Sequence, residues 1–357
     1  MPDFEKLMKL ALKQAEKGVG YTSPNPAVGA VLYKNGQIIA RGYHHNAGGP
    51  HAEIEAIRKA GQKIKNSTLI VTLEPCSHHG KTPPCANAII NAGIKTVVSP
   101  SNDPNPQVSG KGFRKLRRAG VEVITGIGSE QANEFYKPYR KFITTGLPFV
   151  TVKFAQSADG RVAAATGHSQ WISSPISLKY AHHLRAVNDA ILVGTGTLKN
   201  DNPKLTTRLV KGANPIRIVL SKKGNINYNR ALFNDDEAPT FIAAPKEIQI
   251  PSRNQFGHIK VTMRGSELNL KNLLVKLGKM GIMTILVEGG SRVITSILNQ
   301  KLADRIEVCI APMIIGDGIN SVGDLKIKNV NKSILITNQQ WSKSGPDMIL
   351  SGEPVWR

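Results

Sequence analysis

Cysteine is nearly absent from this chain, with three thiols in 357 residues. Two of them, Cys76 and Cys85, fall in one fragment, LEPCSHHGKTPPC at 73–85. So few thiols exclude a disulfide-stapled secreted scaffold, and they fit a reducing compartment, where thiols stay free or bind metal. Long apolar runs are missing too: the longest, TILV and AILVG, are strand-sized, against the roughly 20 residues of a membrane helix. No membrane partner is expected. The opening MPDFEKLMKLALKQAEKG sets Phe4, Leu7, Met8, Leu10, Ala11 and Ala15 on or near one side of a helix. It has no uninterrupted apolar segment and no small-residue cleavage site, so a cytoplasmic protein is the expectation. The NST at 66–68 is then a glycosylation sequon that never meets its machinery. Aromatics are sparse at 5%, and there is neither a basic arm nor the aromatic-basic interleaving that stacked bases need. Acidic residues are outnumbered 25 to 47 by Lys and Arg, for a net charge of +22. That balance favours anionic partners: nucleic acid, phosphorylated metabolites or dinucleotides. The basic residues are spread along the chain, densest in FRKLRRAG and SKKG, which also fits a simply solvated surface.

The length suggests two cores. VGAVLYKNGQIIARGY (28–43) reads as a hairpin about Asn35-Gly36, a type I′ dipeptide. A helix from Ala52 to Ala60 stopped by Gly61, the strand STLIVTL, a helix from Cys85 to Gly93, the strand KTVVS, the helix GKGFRKLRRAG and the strand VEVITG follow. This βα alternation predicts a layered α/β domain. NEFYKPYRKFITTGLPFV (133–150), interrupted by Pro138, Gly146 and Pro148, reads as the junction, dividing the chain into domains 1–145 and 146–357. A second alternation runs through the strands PFVTVKFA, DAILVG, IRIVL, TFIAA, TILVEGG and RIEVCIAP, with a helix in LNLKNLLVKLGKMG. Neither an internal repeat nor a low-complexity segment is present.

In the first half, His51 opens a helix in PHAEIEAIRKAG, Cys76 follows a strand, and Cys85 opens the next helix. One imidazole and two thiolates are the ligands of a catalytic zinc that keeps its fourth position for water. A structural zinc would normally close with a fourth Cys or His, and His78 and His79 lie too near Cys76 to be convincing ligands. Helix N-termini favour thiolates. Glu53, two residues beyond His51, suits a proton shuttle. H-x-E followed by P-C…C is the signature of zinc deaminases acting on exocyclic amines; the usual two residues between the cysteines become eight here, SHHGKTPP. In the second half, LVGTGT (192–197) and VEGGSRVITSIL (287–298) are strand-to-glycine turns. Such turns let backbone amides and a helix N-terminus approach phosphates. Neither has Rossmann spacing, and short turns of no special role read the same way.

TSPNPAVGAVL, GYHHNAGGPHAE, VTLEPCSHHGKTPPC and DPNPQVSGKG together resemble the deaminase domain of the bifunctional riboflavin-biosynthesis deaminase–reductases. VKFAQSADGRVA, GHSQWIS, HHLRAVNDAILVGTGTLKNDNPKLTTR and ILVEGGS are similar to the reductase domain of the same family. The resemblance covers nearly the whole chain, with the motifs in order. It implies a cytidine-deaminase-like layered domain followed by a dihydrofolate-reductase-like domain, zinc held by His51, Cys76 and Cys85, and Glu53 as catalytic proton shuttle. The phosphorylated pyrimidine would meet Asn25, His44, Lys81, Asp103 and Asn105. In the reductase half the resemblance implies NADPH contacts from Ala155, Trp171, Thr197, Asp201, Ser221, Gly289, Gly290 and Ser291. It implies substrate contacts from Lys153, Ser169, Arg185, Leu205, Arg208 and Glu288, with Arg185 and Arg208 suited to the sugar phosphate. Lys222 and Lys223 are either contacts of the 2′-phosphate or a solvated turn. SADG stands where the family has S-L-D-G, and Ser221 where the strand commonly ends in Asp. PMIIGDGINSVGD is a looser match. No chemistry is assigned to His182 or His183, and Cys309 reads as a buried structural thiol. A homo-oligomer joined through the reductase half is expected, without nucleic acid. Two other readings differ in class: a zinc deaminase acting on RNA with a C-terminal binding module, which the charge supports, and a non-catalytic zinc scaffold.

Overall fold

Asn35 and Gly36 take φ of +48° and +80°, the pair of left-handed residues a type I′ turn requires. In the computed structural model, which describes residues 2–77, 83–251 and 256–357, they join β1 (Gly29–Lys34) to β2 (Gln37–Tyr43). The chain folds as two units, Met1–Gly146 and Leu147–Arg357.

The first unit opens with α1 (Phe4–Ala15), which buries Leu7, Met8, Ala11, Leu12 and Ala15. Leu12 joins the expected apolar side, while Phe4 and Leu10 stay half-exposed. After the hairpin come α2 (Ala52–Ala60), β3 (Thr68–Val71), α3 (Cys85–Asn91), β4 (Thr96–Ser99), α4 (Lys111–Arg118) and β5 (Glu122–Thr125). The sheet order is β2-β1-β3-β4-β5; β1 is antiparallel to β2 and β3, whereas β3, β4 and β5 are parallel. Gly42 sets the seat of α2: a Cβ there would lie 2.3 Å from the carbonyl of Ala52, so only glycine lets the helix start this close to the hairpin. The segment expected to be an interrupted junction is largely helical, as α5 (Ser129–Phe135) and α6 (Lys137–Thr145). Pro138 sits in the first turn of α6, where its missing N–H costs nothing.

The second unit contains β6 (Phe149–Ser157), β7 (Arg161–Ala164), α7 (Pro175–Ala186), β8 (Ala190–Gly194), α8 (Thr195–Asp201), β9 (Ile216–Leu220), β10 (Thr240–Pro245) and β11 (Phe256–Val261). Then follow β12 (Met263–Arg264), β13 (Glu267–Leu268), α9 (Leu270–Lys279), β14 (Thr284–Val287), α10 (Ser291–Asn299), β15 (Arg305–Ala311), β16 (Gly318–Asn320), β17 (Ile334–Ser344) and β18 (Asp347–Trp356). Nine strands form one sheet in the order β11-β10-β9-β8-β14-β6-β15-β18-β17. Neighbours from β11 to β15 run parallel, and β18 and β17 close the edge antiparallel. The central strands read as continuous apolar runs because both faces are covered. Ala190, Leu192, Ile285 and Val287 enter one core layer with α9 and α10, while Ile191, Val193 and Leu286 enter the opposite layer with Leu184 of α7. LVGTGT is not a loop, for β8 passes straight into α8.

A fully buried charge braces this sheet. Arg217 of β9 donates to Thr240 Oγ1 at 2.8 Å, Asp235 Oδ1 at 2.7 Å, the Ala238 carbonyl at 2.7 Å and the Lys204 carbonyl at 3.4 Å. Arg217→Met takes the guanidinium from those acceptors and from a partly buried carboxylate, and is expected to destabilise the unit by about 3 kcal/mol. All three tryptophans, Trp171, Trp341 and Trp356, lie in this unit, so urea unfolding followed by tryptophan fluorescence reads the loss directly.

Candidate active sites

The strands β3 and β4 are parallel, so their C-terminal ends open on the same edge of the sheet, and the first site is built there. Cys76 follows β3, Asp103 and Asn105 follow β4, Cys85 begins α3, and His51 is the N-cap of α2. His51 Nδ1 lies 3.1 Å from Cys85 Sγ and 3.7 Å from Cys76 Sγ, and all three donor atoms fall within 4.8 Å of one another. One nitrogen and two sulfurs converging in this way fit zinc, with a position left over for water. The backbone N–H of Cys85 donates to Cys76 Sγ at 3.3 Å. The Cys76 thiol is pulled down, first by the hydrogen bond it takes from the Cys85 thiol and further by His51, against the effect of burial.

Glu53 sits in the first turn of α2, is 3% exposed, and lines the same cavity as His51 and Cys76. Burial pushes its carboxyl above the usual range, against the pull of His51. The cavity holds about 390 Å³ and is walled by Asn25, His44, Asp103 and Asn105, with Glu74 and Tyr139. His44 Nδ1 donates to the Pro50 carbonyl at 2.9 Å. That fixes the tautomer, so Nε2 faces the Asn25 amide nitrogen at 3.4 Å as acceptor. Burial lowers the pKa of His44. Asp103 Oδ1 accepts from Asn105 N at 2.8 Å and from the Tyr139 hydroxyl at 3.1 Å, and burial raises its pKa to about 6. Every expected residue of this half is thus gathered at one cavity or directly behind it, apart from Lys81, which lies outside the described residues. Glu74 and Tyr139 were missed. Glu74 stands in the quoted E-P-C, and the signal was a carboxylate beside a ligand with no role assigned; Tyr139 gave no signal at all.

The second site lies where strand order reverses about β8, β14 and β6, at their C-terminal ends, the usual place for a ligand in an open α/β sheet. A cavity of about 540 Å³ is lined by Ser169, Trp171, Arg185, Thr197, Asp201, Leu205, Arg208 and Glu288. Ser169 Oγ donates to Asp201 Oδ1 at 3.2 Å, and Leu205 is held at φ +58°. Lys153, Ala155, Ser221, Gly289, Gly290 and Ser291 do not line it. Gly290 nevertheless adjoins it, donating its N–H to Thr197 Oγ1 at 3.1 Å, and Ser291 begins α10. Ser221 is turned to its own chain, accepting from Gly224 N at 3.1 Å, and Lys222 and Lys223 beyond it are exposed.

Arg185 places both Nε and Nη2 on Glu288 Oε2, at 3.2 and 2.6 Å, and Nη1 on the Thr206 carbonyl at 3.2 Å. Its fork is therefore engaged by protein. Burial alone would raise the pKa of Glu288, but Arg185 and Lys153 outweigh it and hold the carboxylate low. Glu288 Oε1 is buried without a partner among the described residues, an oxygen suited to accept a hydroxyl of a sugar. His182, given no role from sequence, is fully buried behind this group, with Nε2 3.5 Å from Arg185 Nη1 and Leu209 N donating to Nδ1 at 3.4 Å. Burial, with Arg185 and Arg208 beside it, lowers its pKa to about 4. Cys309 is a buried strand thiol, as expected.

Family models match both halves: the RibD C-terminal domain over residues 148–350 and the cytidine and deoxycytidylate deaminase zinc-binding region over 1–100. The chain is 45% identical to the riboflavin biosynthesis protein RibD of Aquifex aeolicus, covering 96% of each chain. It is 40% identical to that of Bacillus amyloliquefaciens over 98% of this chain and 96% of the relative. Among solved structures it is similar to a diaminohydroxyphosphoribosylaminopyrimidine deaminase/5-amino-6-(5-phosphoribosylamino)uracil reductase of Thermotoga maritima, with a TM-score of 0.87, 37% identity and 99% of each chain covered. It is also similar to RibD of Acinetobacter baumannii, with a TM-score of 0.89 and 31% identity over 99% of each chain.

The buried neutral imidazole has a measurable consequence. The folded unit takes up no proton at His182 until about pH 4, while the unfolded chain takes one up near the ordinary 6.5. Its contribution to the stability of the second unit is therefore full above pH 6.5 and is lost as pH falls towards 4. Glu288 adds loss of the same sign only below its ordinary 4.5. Urea titrations at pH 7 and pH 5 should show wild type weakened at pH 5 and His182→Asn markedly less so; equal losses in the two proteins would refute it.

Proposed function

Because the chain belongs to the RibD family of bifunctional riboflavin-biosynthesis proteins, we propose that the residues gathered at its two cavities perform the family's two reactions. The protein is a zinc-dependent deaminase and an NADPH-dependent reductase. The first unit hydrolyses the exocyclic amine of 2,5-diamino-6-ribosylamino-4(3H)-pyrimidinone 5′-phosphate, and the second reduces the ribosyl group to ribityl. The observation that carries the site assignment is the convergence of His51, Cys76 and Cys85 within 4.8 Å beside the buried Glu53.

Zinc held by His51, Cys76 and Cys85 would supply a water that ionises near neutral pH. Glu53 is placed to take a proton from water onto its carboxylate and return it to the departing amine, so that ammonia would leave neutral. The Asn25 amide, oriented by His44 Nε2, and the Asp103 carboxylate orient the ring. Lys81 is proposed for the phosphate. In the second unit NADPH supplies hydride. Thr197, Asp201, Trp171 and the turn Gly289-Gly290-Ser291 are proposed to hold it. A Cβ on Gly289 would lie 2.5 Å from Val293 Cβ, so the backbone there stays bare, and the N-terminus of α10 offers N–H groups suited to a phosphate. Glu288 Oε1 accepts from the sugar, and Arg185 fixes that carboxylate. The exposed Arg208 is the better phosphate ligand of the two arginines, since its fork is not given to Glu288. Ala155, Ser169, Leu205 and Lys153 complete the proposed contacts. Ser221, turned away to Gly224, is the weakest of them.

The finer assignments follow the same reading. The domain roles divide at residues 145 and 146. Among the described residues no helix is long and apolar enough to cross a membrane, and a cytoplasmic enzyme without nucleic acid is proposed. β17 is a sheet edge that carries the exposed Trp341, with Met348 and Val355 of β18 beside it. An edge of this kind invites a second copy. Sedimentation should give a homo-oligomer that Trp341→Glu dissociates.

The primary test is product mass from the phosphorylated diaminopyrimidine. Without NADPH the expected product is deaminated only; with it, deaminated with two added hydrogens. In Glu53→Gln deamination should fall by about 100-fold or more, with zinc retained and reduction of the deaminated substrate unchanged. Undiminished deamination in that variant would refute the role of Glu53, and inosine formation in RNA would favour the nucleic-acid reading.

A further inference from the structure

Glu74 is 4% exposed, and its charge is met by backbone. Oε2 accepts from Asp103 N at 3.0 Å and Gly110 N at 2.8 Å; Oε1 accepts from Gly112 N at 2.8 Å and Phe113 N at 3.3 Å. These donors span the whole segment from the end of β4 into the first turn of α4. None belongs to a zinc ligand. A Cβ on Gly112 would lie 1.9 Å from the Pro75 carbonyl, so the segment is pressed against the very chain that leads from Glu74 to Cys76. From the other side, α6 brings in Tyr139, whose hydroxyl donates to Asp103 Oδ1. With Oδ1 also taking Asn105 N, Oδ2 is the oxygen left to accept from a ring amine or ring N–H.

We propose that Glu74 and Tyr139 are positioning residues of the deaminase, a two-sided clamp on the segment 103–113 that holds Asp103 and Asn105 at the distance from the metal site where the pyrimidine must lie. The proposal rests on the reading of Asp103 and Asn105 as substrate contacts. A carboxylate is required because all four partners are donors. Glutamine offers one oxygen and turns two N–H groups against N–H groups. The clamp acts on where the ring is held, so its loss appears in substrate affinity, whereas a purely structural brace would reduce the active fraction and lower kcat alone.

The experiment uses the full-length zinc enzyme, assayed for deamination without NADPH, for reduction of the deaminated substrate, and for zinc per chain. Glu74→Gln is expected to raise the deamination KM by about tenfold or more, and Tyr139→Phe by about fivefold, with kcat within about twofold. Zinc content and reductase rate should match wild type, the former reporting that the first unit is folded and the latter that the second is. Zinc loss in Glu74→Gln overturns the proposal, because Glu74 would then serve the metal. A fall in kcat at unchanged KM in either variant also overturns it. Asp103→Asn separates the clamp from the reading beneath it. An unchanged KM there removes Asp103 as a contact and the clamp with it; a raised KM in Asp103→Asn alone overturns the clamp and leaves the contact standing.

Discussion

Parallel strands impose one constraint on which both sites depend. Each strand must be followed by a crossover before its neighbour can pair, so all their C-terminal ends open on one edge, and helix N-termini gather there. In the first unit that edge brings Cys76, Asp103 and the start of α3 together, though they lie far apart in sequence. In the second it brings Glu288 after β14 beside α8 after β8. Zinc ligands at helix starts gain from the dipole that favours thiolates. The dinucleotide contact proposed at the start of α10 uses the same feature. The two sites are built from different sets of residues, yet they occupy the same place in their sheets.

Burying charge is costly, and three of the buried charged residues are met in three different ways. Arg217 is surrounded by oxygen: one carboxylate, one hydroxyl and two carbonyls. Glu74 is surrounded by backbone N–H groups. Glu288 has a guanidinium on one oxygen and, among the described residues, nothing on the other. The first two are closed and therefore structural or positioning. The third belongs to a residue that lines the cavity, and its unpaired buried oxygen is a free valence suited to a ligand. Arg217 also reaches the second cavity, because the Lys204 carbonyl it holds directly precedes Leu205, whose φ is positive.

How much of this was legible in the sequence depends on the range of the interaction. The hairpin about Asn35-Gly36, the stop at Gly61 and the strands with unbroken apolar runs are set by neighbouring residues, and each formed where expected. The His-x-Glu and Pro-Cys pairs were legible because ligands attached to helix starts keep a fixed spacing from the turn. β17 and β18 were not read as strands. SILITNQQWSKS and DMILSGEPVW alternate weakly, since one long face of the edge hairpin stays exposed. LVGTGT looked like a loop because glycine usually ends a strand, whereas here α8 follows at once. Tyr139 and His182 were beyond reach for a different reason, and Glu74 showed only its place beside a ligand: each meets a segment that only the crossovers bring near it. Without the resemblance, the reductase contacts would have been equally out of reach.

The charge of +22 takes its meaning from these sites. The substrate carries a phosphate through both reactions, and NADPH carries three. In the second unit Arg208 and Lys204 line the cavity, and Lys222 and Lys223 stand exposed after β9. Cations so placed raise the local concentration of anions and their rate of encounter. They need no fixed partner to do it, which is why they lie on turns and not in strands. On the proposed reading, recognition then falls to the few groups fixed by buried partners, such as Asp103 held by Tyr139 and Glu288 held by Arg185. A surface that attracts any phosphate and an interior that accepts only one geometry are separate tasks. The sequence assigns them to separate residues, with solvated lysines for the first and immobilised carboxylates for the second.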